Sequence, residues 1–492
     1  LDSGPVRLAG PHRALGDARR IARNSAFQGL AFVAQGLTAF IVVIVLSRLA
    51  GPQHLGEFAT LVVLAGLFAF IADFGLPGLL TRELARLRNE PAQAALLMNT
   101  ALGLVLVLSV VAAGLMVGLG LLSAYSGALA RALVVTAVAL AVESAVMVIL
   151  AAFRGIEALG PFSAVVATME VGFLMLVIGF VLLDSDIDAI MTAYLVSRLV
   201  ALGLTVWLYR SWFGRVRPLA SWDIWLSLLR KGLPFSINSV FSYSYSRADI
   251  VLLSYLAGNL AVGFYEAVYS VTMRTNFIAR SITLALYPLL AFQFRVSPPT
   301  MGTYAAAGIR SLNVPAFGLA VILWLFGADL VHLLYGPEVA AASVLAVKLL
   351  AVAVPFRFLE TSLGVVLDAS DRSGQRAGAV AAAAVTNLIL NVVLIPPLGM
   401  MGAVYATLTT EVVISGIFLW HLRGELGQII DLRGFAGPLT AVGTALGTGI
   451  IFKDLNSWLL LGLCTLFYVG TIAAVDRSAI CWLYRVVTSR EP

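Results

Sequence analysis

The sequence predicts an all-α integral membrane protein with about fourteen transmembrane helices, and two observations carry this prediction. Hydrophobic residues make up 60% and charged residues 12% of the 492 positions, whereas a soluble domain carries about 25% charged residues. The apolar residues also form long blocks without an ionisable side chain, such as Ala26–Leu46 and Val171–Leu183. About 20 such residues cross a bilayer core of roughly 30 Å. A soluble fold would leave too little charge to cover its surface.

The length and continuity of these apolar blocks favour helices over barrel strands. Lipid offers no hydrogen-bond partner to the backbone, so a spanning segment is either a helix or part of a closed barrel. Barrel strands alternate apolar and polar residues over about ten positions. The blocks in this chain are continuously apolar and longer than such strands.

Hydropathy read in windows of about 19 residues places the spans in order along the chain. The predicted spans are 27–49, 57–79, 95–121, 130–152, 161–183, 189–209, 233–257, 262–291, 310–335, 340–368, 377–397, 401–421, 435–452 and 456–475.

The connectors between these spans alternate in charge. One set is basic, and its longest member carries Arg210, Arg215, Arg217, Arg230 and Lys231. The alternate set, at 51–56, 184–188, 258–262, 335–339 and 396–401, is nearly free of Lys and Arg. Arg131 and Lys453 are the exceptions. Because cytoplasmic loops are enriched in Lys and Arg, we predict a multi-pass protein of the inner (cytoplasmic) membrane with both termini cytoplasmic. The net charge of +6 is explained by topology, and no nucleic-acid partner is predicted.

Two segments of the first half recur in the second half. The segment LSRLAGPQHLG (Leu46–Gly56) returns as LSYLAGNLAVG (Leu253–Gly263), and AIMTAYL (Ala189–Leu195) is echoed by GAVYATL (Gly402–Leu408). Six spans per repeat give both copies the same orientation, as in transporters whose halves rock around a central site. We predict a cytoplasmic leader (1–26), an N-lobe (27–209), a cytoplasmic linker (210–232), a C-lobe (233–421), two further spans (435–475) and a cytoplasmic tail (476–492).

With these segments the chain resembles the polysaccharide transporter family, which includes the O-antigen and exopolysaccharide flippases. That family lies within the multidrug/oligosaccharidyl-lipid/polysaccharide exporter superfamily. The resemblance rests on Leu46–Arg86, Arg247–Tyr269, Leu333–Ala351 and Thr386–Glu411 and covers about residues 20 to 425. It implies two six-helix lobes around a central cavity plus two C-terminal helices. It also implies flipping of an undecaprenyl-pyrophosphate-linked glycan to the outer leaflet, with a downstream polymerase as a further partner.

Ionisable residues within the spans are the candidate site, because a charge at mid-bilayer is costly and usually faces a cavity or a partner. The arginine fork matches phosphate oxygens, so a cationic cavity for the pyrophosphate is predicted from Arg198, Arg247, Arg274 and Arg357. Two amides at i and i+4, Asn387 and Asn391, either line this cavity or make a hydrogen bond between helices. The alternative is structural: Arg247 pairs with Asp249, and Arg357 pairs with Glu360.

Carboxylates within the spans are candidates for coupling transport to an ion gradient. These are Glu143, Glu170, Asp249, Glu266 and Glu411, and structural pairing is their alternative role. The sequence shows no nucleophile–base pattern, no glycine-rich phosphate loop and no metal spacing. We therefore predict a transporter that is not an enzyme and has no cofactor, apart from a coupling ion, H⁺ or Na⁺.

Two other functions stay open at this stage. A multidrug exporter of the same superfamily would favour an acidic cavity for cationic substrates, whereas these spans carry several arginines. A membrane-embedded glycan polymerase or ligase would need a large external loop, and the predicted external connectors are short.

Overall fold

A computed structural model describes residues 29, 33–122, 127–183, 186–429 and 433–476 of the chain. The predicted leader (1–26) and the predicted tail after Asp476 lie outside the described residues. Within the described ranges every regular element is helical, which confirms the all-α prediction.

The helix bounds follow the predicted spans in order. The helices are α1 (33–45, continued by a π-helical turn over Leu46–Ala50), α2 (Gly51–Ala72), α3 (Leu76–Arg86), α4 (Pro91–Leu122), α5 (Gly127–Gly155), α6 (Leu159–Leu183), α7 (Ile187–Phe213), α8 (Trp222–Ala257), α9 (Asn259–Arg274), α10 (Asn276–Val296), α11 (Pro298–Tyr335), α12 (Pro337–Ala369), α13 (Ser373–Leu398), α14 (Met400–His421), α15 (Leu426–Ile429), α16 (Arg433–Ile451) and α17 (Ser457–Val475).

Among the described residues, 12 helical segments are long and apolar enough to cross a membrane. This count treats Val33–Ala72 as one segment and leaves out α8, which carries several charged side chains. The protein is thus a multi-pass membrane protein, and the exact number of fourteen spans stays a prediction.

The first repeated segment has the same backbone geometry in both copies. Gly51 begins α2 with φ 86°, and its counterpart Gly258 precedes α9 with φ 87°. Only glycine adopts this region readily, because it has no Cβ to clash with the backbone. The repeated glycine therefore produces a repeated turn between two helices.

The two copies of this segment also pack directly on each other. An ideal Cβ on Gly56 would lie 1.7 Å from the carbonyl oxygen of Asn259, and one on Gly263 would lie 1.8 Å from that of Pro52. Asn259 is the counterpart of Pro52, and Gly263 is the counterpart of Gly56, so the contact is reciprocal. Such self-complementary contacts are expected where equivalent surfaces meet about a two-fold axis. The repeat inferred from the sequence is thus visible as a glycine-mediated crossing of α2 and α9.

The described chain divides into two compact units. The first contains 33–45 and 61–240, and the second contains 46–60 and 241–476. The core of the first unit is formed by apolar side chains of α3 to α7, including Leu80, Val105, Ile149 and Phe153. The segment Leu46–Thr60 belongs to the second unit although it precedes most of the first. The predicted lobe and linker boundaries stay predictions.

The C-terminal helices are attached to α11 in the second unit. Ala441, Ala445 and Ile472 are buried in a core shared with Phe326 of α11, and the Tyr468 hydroxyl donates to the Val314 carbonyl over 2.7 Å. Arg310 of α11 also donates to both oxygens of Asp476, the residue after α17, over 2.9 and 2.8 Å. These contacts fix α16 and α17 along the length of α11.

Arg131, an exception in the predicted charge pattern, is neutralised in the structure. Its guanidinium on α5 donates to the Asp188 carboxylate on α7, with an Nε–Oδ2 distance of 2.9 Å. The pair cancels the positive charge that the sequence places in an otherwise uncharged connector.

The predicted span 262–291 is interrupted. Helix α9 ends at Arg274 and α10 starts at Asn276, and the Thr275 N–H bonds to the Thr272 carbonyl instead of continuing the α-helical pattern. The Thr275 hydroxyl donates to the same carbonyl over 2.6 Å. Neither glycine nor proline occupies the break, so its position was not visible in the sequence.

Candidate functional site

A cluster of buried charge lies among the described residues of the first unit. Arg198 on α7 is 3% exposed, and its Nε donates to Glu143 Oε2 on α5 over 3.3 Å. Its Nη2 lies 3.7 Å from Glu170 Oε1 on α6, and its Nη1 donates to the Met169 carbonyl over 3.3 Å. The structure therefore brings together three of the predicted site residues, Arg198, Glu143 and Glu170.

Two aromatic side chains also contact the Arg198 guanidinium of this cluster. The Arg198 guanidinium carbon lies 3.7 Å from the centre of the Tyr194 ring and 5.7 Å from that of Phe173. The Tyr194 hydroxyl donates to Glu143 Oε2 over 3.0 Å. A buried guanidinium is stabilised by carboxylates and ring faces together. The arrangement holds α5, α6 and α7 together and occupies the donors of Arg198.

Arg247 in the second unit pairs with Glu266 rather than with Asp249. Its Nη1 donates to both oxygens of Glu266 over 3.1 and 2.9 Å, and its guanidinium lies 5.6 Å from the Tyr269 ring centre. The Glu266 side chain is 8% exposed but that of Arg247 is 35% exposed. One side of this guanidinium is thus accessible while the other neutralises a buried carboxylate.

Asp249 is held by hydrogen bonds from neutral groups. Its Oδ2 accepts a short bond from the Tyr265 hydroxyl, and its Oδ1 accepts from the Ile250 N–H over 3.0 Å. Tyr265 also contacts the Thr407 hydroxyl at 3.0 Å. The predicted alternative of an Arg247–Asp249 pair is not formed.

Arg357 and Glu411 form the most deeply buried ion pair of the second unit's described residues. Arg357 Nε and Nη2 donate to the same oxygen, Glu411 Oε1, over 2.9 and 2.7 Å. The two side chains are 6% and 7% exposed. Glu411 Oε2 is also buried but has no hydrogen-bond partner among the described residues. The predicted alternative of an Arg357–Glu360 pair is again replaced by a partner distant in sequence.

The two predicted asparagines form one chain of hydrogen bonds. Asn391 Nδ2 donates to Asn387 Oδ1 over 2.9 Å, and Asn387 Nδ2 donates to Thr410 Oγ1 over 3.2 Å. The second bond joins α13 to α14. Asn391 Oδ1 is buried without a partner among the described residues.

A polar cavity of about 220 Å³ lies between these groups within the second unit. Among the described residues, its charged lining consists of three arginines and three carboxylates, whose formal charges balance. The predicted residues that line it are Asp249, Arg357, Asn387 and Glu411. Tyr245, Arg280, Glu360 and Arg376 are among the lining residues that were not in the predicted site.

A second cavity of about 470 Å³ shares Arg280, Glu360 and Arg376 with the first. Arg376 contacts the Asp368 carboxylate, which also lines this cavity. Arg280 and Glu360 were visible as charges within predicted spans. Arg376 was not, because hydropathy places it just before the predicted span 377–397, whereas the structure includes it in α13.

Arg274 differs from the other three predicted arginines in its exposure. It lies in the last turn of α9, immediately before the break at Thr275, and is exposed. Helix ends within a membrane-spanning stretch often lie at transporter binding sites, because they present unpaired backbone groups.

Comparison with known proteins adds family information to this geometry. The model of the family described as "Polysaccharide biosynthesis protein" matches residues 21–293. A Haloferax volcanii protein named "Probable low-salt glycan biosynthesis flippase Agl15" is 24% identical over 389 residues, which are 77% of this chain and 77% of that protein.

Solved structures show the same fold at low sequence identity. The lipid II flippase MurJ in an inward closed conformation has a TM-score of 0.74 and 11% identity, over 92% of this chain and 99% of that chain. An inward-facing multidrug transporter of the MATE family has a TM-score of 0.62 and 16% identity, over 80% and 95%. These likenesses confirm the predicted fold class. The family model matches more than half of the length of this chain. The chain therefore belongs to the polysaccharide biosynthesis protein family.

Proposed function

We propose that this protein is a flippase that moves an undecaprenyl-pyrophosphate-linked oligosaccharide from the cytoplasmic to the outer leaflet by alternating access. Family membership over residues 21–293, the glycan flippase relative and the fold shared with a lipid II flippase support this function. The protein acts as a transporter for polysaccharide biosynthesis and not as an enzyme.

The observation that carries the proposal is the placement of two accessible arginines in apolar helices of the second unit. Arg247 is 35% exposed on its side chain, and Arg274 is exposed at the α9 break. The arginine fork matches phosphate oxygens, so these accessible guanidinium groups suit a pyrophosphate ligand. Arg198 and Arg357 stay predicted ligands, although their side chains are buried against carboxylates of their own unit.

Arg274 gives the clearest test. We expect Arg274→Gln to slow transbilayer movement of a fluorescent undecaprenyl-pyrophosphate oligosaccharide in proteoliposomes by about 10- to 100-fold. This range corresponds to one lost charge-assisted interaction of about 1.5–3 kcal/mol. Arg274→Lys keeps the charge but lacks the bidentate fork, so its rate should lie between wild type and Arg274→Gln.

Arg215→Gln is the matched control, because Arg215 is exposed in the connector after α7. Movement at the wild-type rate in Arg274→Gln would refute the proposed site. Failure of the wild-type protein to move the glycolipid, together with export of small organic cations, would place it with the multidrug exporters instead.

We also propose that transport is coupled to H⁺ or Na⁺ at Glu411. The supporting observation is its oxygen Oε2, which is buried and lacks a partner among the described residues while Oε1 binds Arg357. A proton or a bound cation would satisfy that oxygen. Glu143, Glu170, Asp249 and Glu266 stay predicted coupling residues.

The coupling proposal is tested with imposed gradients. Glu411→Gln keeps an acceptor for Arg357 but removes the titratable oxygen. We expect movement of the glycolipid in this variant to become insensitive to pH and Na⁺ gradients, whereas Glu338→Gln, an exposed control at the start of α12, keeps the wild-type response. An unchanged gradient response in Glu411→Gln would exclude this residue.

We place the protein in the inner membrane with both termini cytoplasmic, and a downstream polymerase is its proposed partner. Basic connectors alternate with connectors nearly free of Lys and Arg, and this alternation supports the orientation. Reporter fusions at the C-terminus and in the 335–339 connector test it, since the two sites should report opposite sides.

A further inference from the structure

The larger of the two charged cavities in the second unit has no role in the function proposed above. It has a volume of about 470 Å³ and lies between α10, α12 and α13. Its lining combines charged side chains with apolar surface from Leu284, Tyr287 and Val365. Cavities of several hundred Å³ that combine apolar walls with a few polar groups commonly bind small ligands.

This cavity adjoins the polar cavity near one end of the helices. Arg280, Glu360 and Arg376 line both cavities. Arg376 lies in the first turn of α13, whereas Asn387, which lines the polar cavity, is 11 residues further along that helix, or about 16 Å. The larger cavity, hereafter the mouth cavity, therefore lies at the end of the polar cavity that we place on the cytoplasmic side.

Two opposite charges face the mouth cavity without pairing. Arg280 on α10 is exposed, and Glu360 on α12 is half-buried. Neither side chain forms an ion pair with any described residue, whereas Arg376 and Asp368 in the same lining contact each other. A guanidinium only donates hydrogen bonds and an ionised carboxylate only accepts them. A ligand that suits both must present acceptors and donors side by side.

Adjacent hydroxyl groups of a sugar ring have this combination. Each hydroxyl donates one hydrogen bond and accepts others, so one can donate to Glu360 while its neighbour accepts from Arg280. Hydrogen bonds to charged groups are the stronger ones. Tyr287 in the same lining is 42% exposed and offers an aromatic surface to the C–H face of the ring. The lining thus matches both faces of a sugar.

The charges of the mouth cavity favour a neutral sugar. Among the described residues, the charged lining consists of two arginines and two carboxylates, whose formal charges balance. A uronic acid would bring a third carboxylate beside Glu360, and like charges placed together are unfavourable. A hexose or an N-acetylhexosamine avoids this repulsion.

The distance from Arg274 agrees with a sugar at this place. Arg274 is a proposed pyrophosphate ligand, and Arg280 follows it by six residues, which is about 9 Å along a helix. In a lipid-linked glycan the first sugar is bonded directly to the pyrophosphate. A pyrophosphate bound at Arg274 therefore leaves this sugar within reach of Arg280 and Glu360.

We propose that the mouth cavity binds the sugar bonded to the pyrophosphate of the transported lipid, that this sugar is neutral, and that Glu360 and Arg280 bind its hydroxyl groups. This inference rests on the proposed flippase function. The pyrophosphate ligands bind every polyprenyl pyrophosphate alike, so selection between glycans depends on Glu360 and Arg280.

The test compares lipids that differ by one sugar. The Kd of purified protein is measured for a short-chain prenyl pyrophosphate without sugar and for the same lipid carrying glucose, galactose or N-acetylglucosamine. We expect wild type to bind at least one glycosylated lipid about tenfold or more tightly than the bare lipid. Glu360→Gln and Arg280→Gln should each reduce this gain by about fivefold or more, while the bare lipid binds as in wild type.

Glu338→Gln and Arg295→Gln are the matched controls, because they change exposed residues of the same two helices outside both cavities. Both should keep the wild-type gain. Unchanged binding of the bare lipid also shows that a variant is folded. If one cavity variant loses that binding, its residue has a structural role and the other variant decides.

Three results would overturn the inference while leaving the pyrophosphate site intact. The first is equal binding of bare and glycosylated lipids by wild type, and the second is an undiminished gain in a folded Glu360→Gln or Arg280→Gln variant. The third is a glucuronic acid lipid that binds wild type as tightly as the glucose lipid, which would exclude a preference for neutral sugars. Failure of wild type to bind any of these lipids would refute the proposed function itself.

Discussion

The crossing of α2 and α9 predicts a large effect for the smallest possible substitution, Gly56→Ala. The added methyl carbon would lie 1.7 Å from the Asn259 carbonyl oxygen, whereas real Cβ contacts below 3.0 Å essentially do not occur. The obstacle is backbone, so no side chain can rotate away. The two helices must therefore separate by about 1.3 Å.

This separation has a calculable cost. It stretches the 3.1 Å hydrogen bond from Thr60 to the Asn259 side chain beyond bonding distance, which costs about 1 kcal/mol. Overpacking adds about 1–3 kcal/mol. We expect a total of about 2–4 kcal/mol and a thermal midpoint in detergent lowered by several degrees.

The reciprocal geometry makes a sharper prediction for the double variant. Gly263→Ala should cost about as much as Gly56→Ala, because its Cβ would lie 1.8 Å from the Pro52 carbonyl oxygen. Once the helices have separated for one methyl group, the second is accommodated cheaply. The double variant should therefore cost less than the sum of the singles by about 1 kcal/mol or more.

Gly114→Ala is the control for these measurements. An ideal Cβ at Gly114 in α4 has no atom within 4 Å, so alanine should be neutral or stabilise the helix by about 0.5–1 kcal/mol. The reasoning is refuted if Gly56→Ala behaves like Gly114→Ala, or if the two crossing substitutions are additive.

Three further substitutions test other contacts. Arg357→Met leaves the buried Glu411 carboxylate without its partner and should lower the free energy of unfolding by about 3–5 kcal/mol. Adding Glu411→Leu should restore most of the thermal midpoint, and a double variant as unstable as the single variant would contradict this. Gly75 has φ 69°, and an ideal Cβ there would lie 2.8 Å from atoms of α8. Gly75→Ala should lower the free energy of unfolding by at least about 1–2 kcal/mol for the left-handed backbone alone, and a thermal midpoint equal to that of wild type would rule out this strain. Tyr468→Phe removes the 2.7 Å bond to the Val314 carbonyl and should raise hydrogen exchange in α17, and unchanged exchange would show that apolar packing alone holds that helix.

Hydropathy predicted the helices because burial in lipid is decided by the side chains of each segment itself. It did not predict that α8 begins at Trp222 rather than near 233, since the added turns are polar and amphipathic. Nor did it predict the break at Thr275, where a hydroxyl-to-backbone bond replaces the usual glycine or proline signal. Local sequence specifies whether a segment is helical more firmly than where the helix is interrupted.

In the candidate site, the sequence likewise predicted which charged residues lie within the spans but not which residues they contact. The structural alternative paired Arg247 with Asp249, two positions away, but residues two apart point to different sides of a helix. The observed partner, Glu266, lies on the next helix. Arg357 likewise binds Glu411, 54 positions later. Such choices depend on how helices pack, which hydropathy does not contain.

The segment Leu46–Thr60 has a consequence for the order in which the chain is completed on the ribosome. Arg48 donates to the Leu334 carbonyl, 286 positions later, and Gly56 packs on Asn259. At about 5–20 residues per second, the acceptor of Arg48 is synthesised roughly 14–57 s after Arg48 itself. Until α9 is synthesised, the glycine face of Leu46–Thr60 lacks the surface on which it packs. A chain arrested before α9 would keep this segment undocked, so quality control could recognise such incomplete molecules by it.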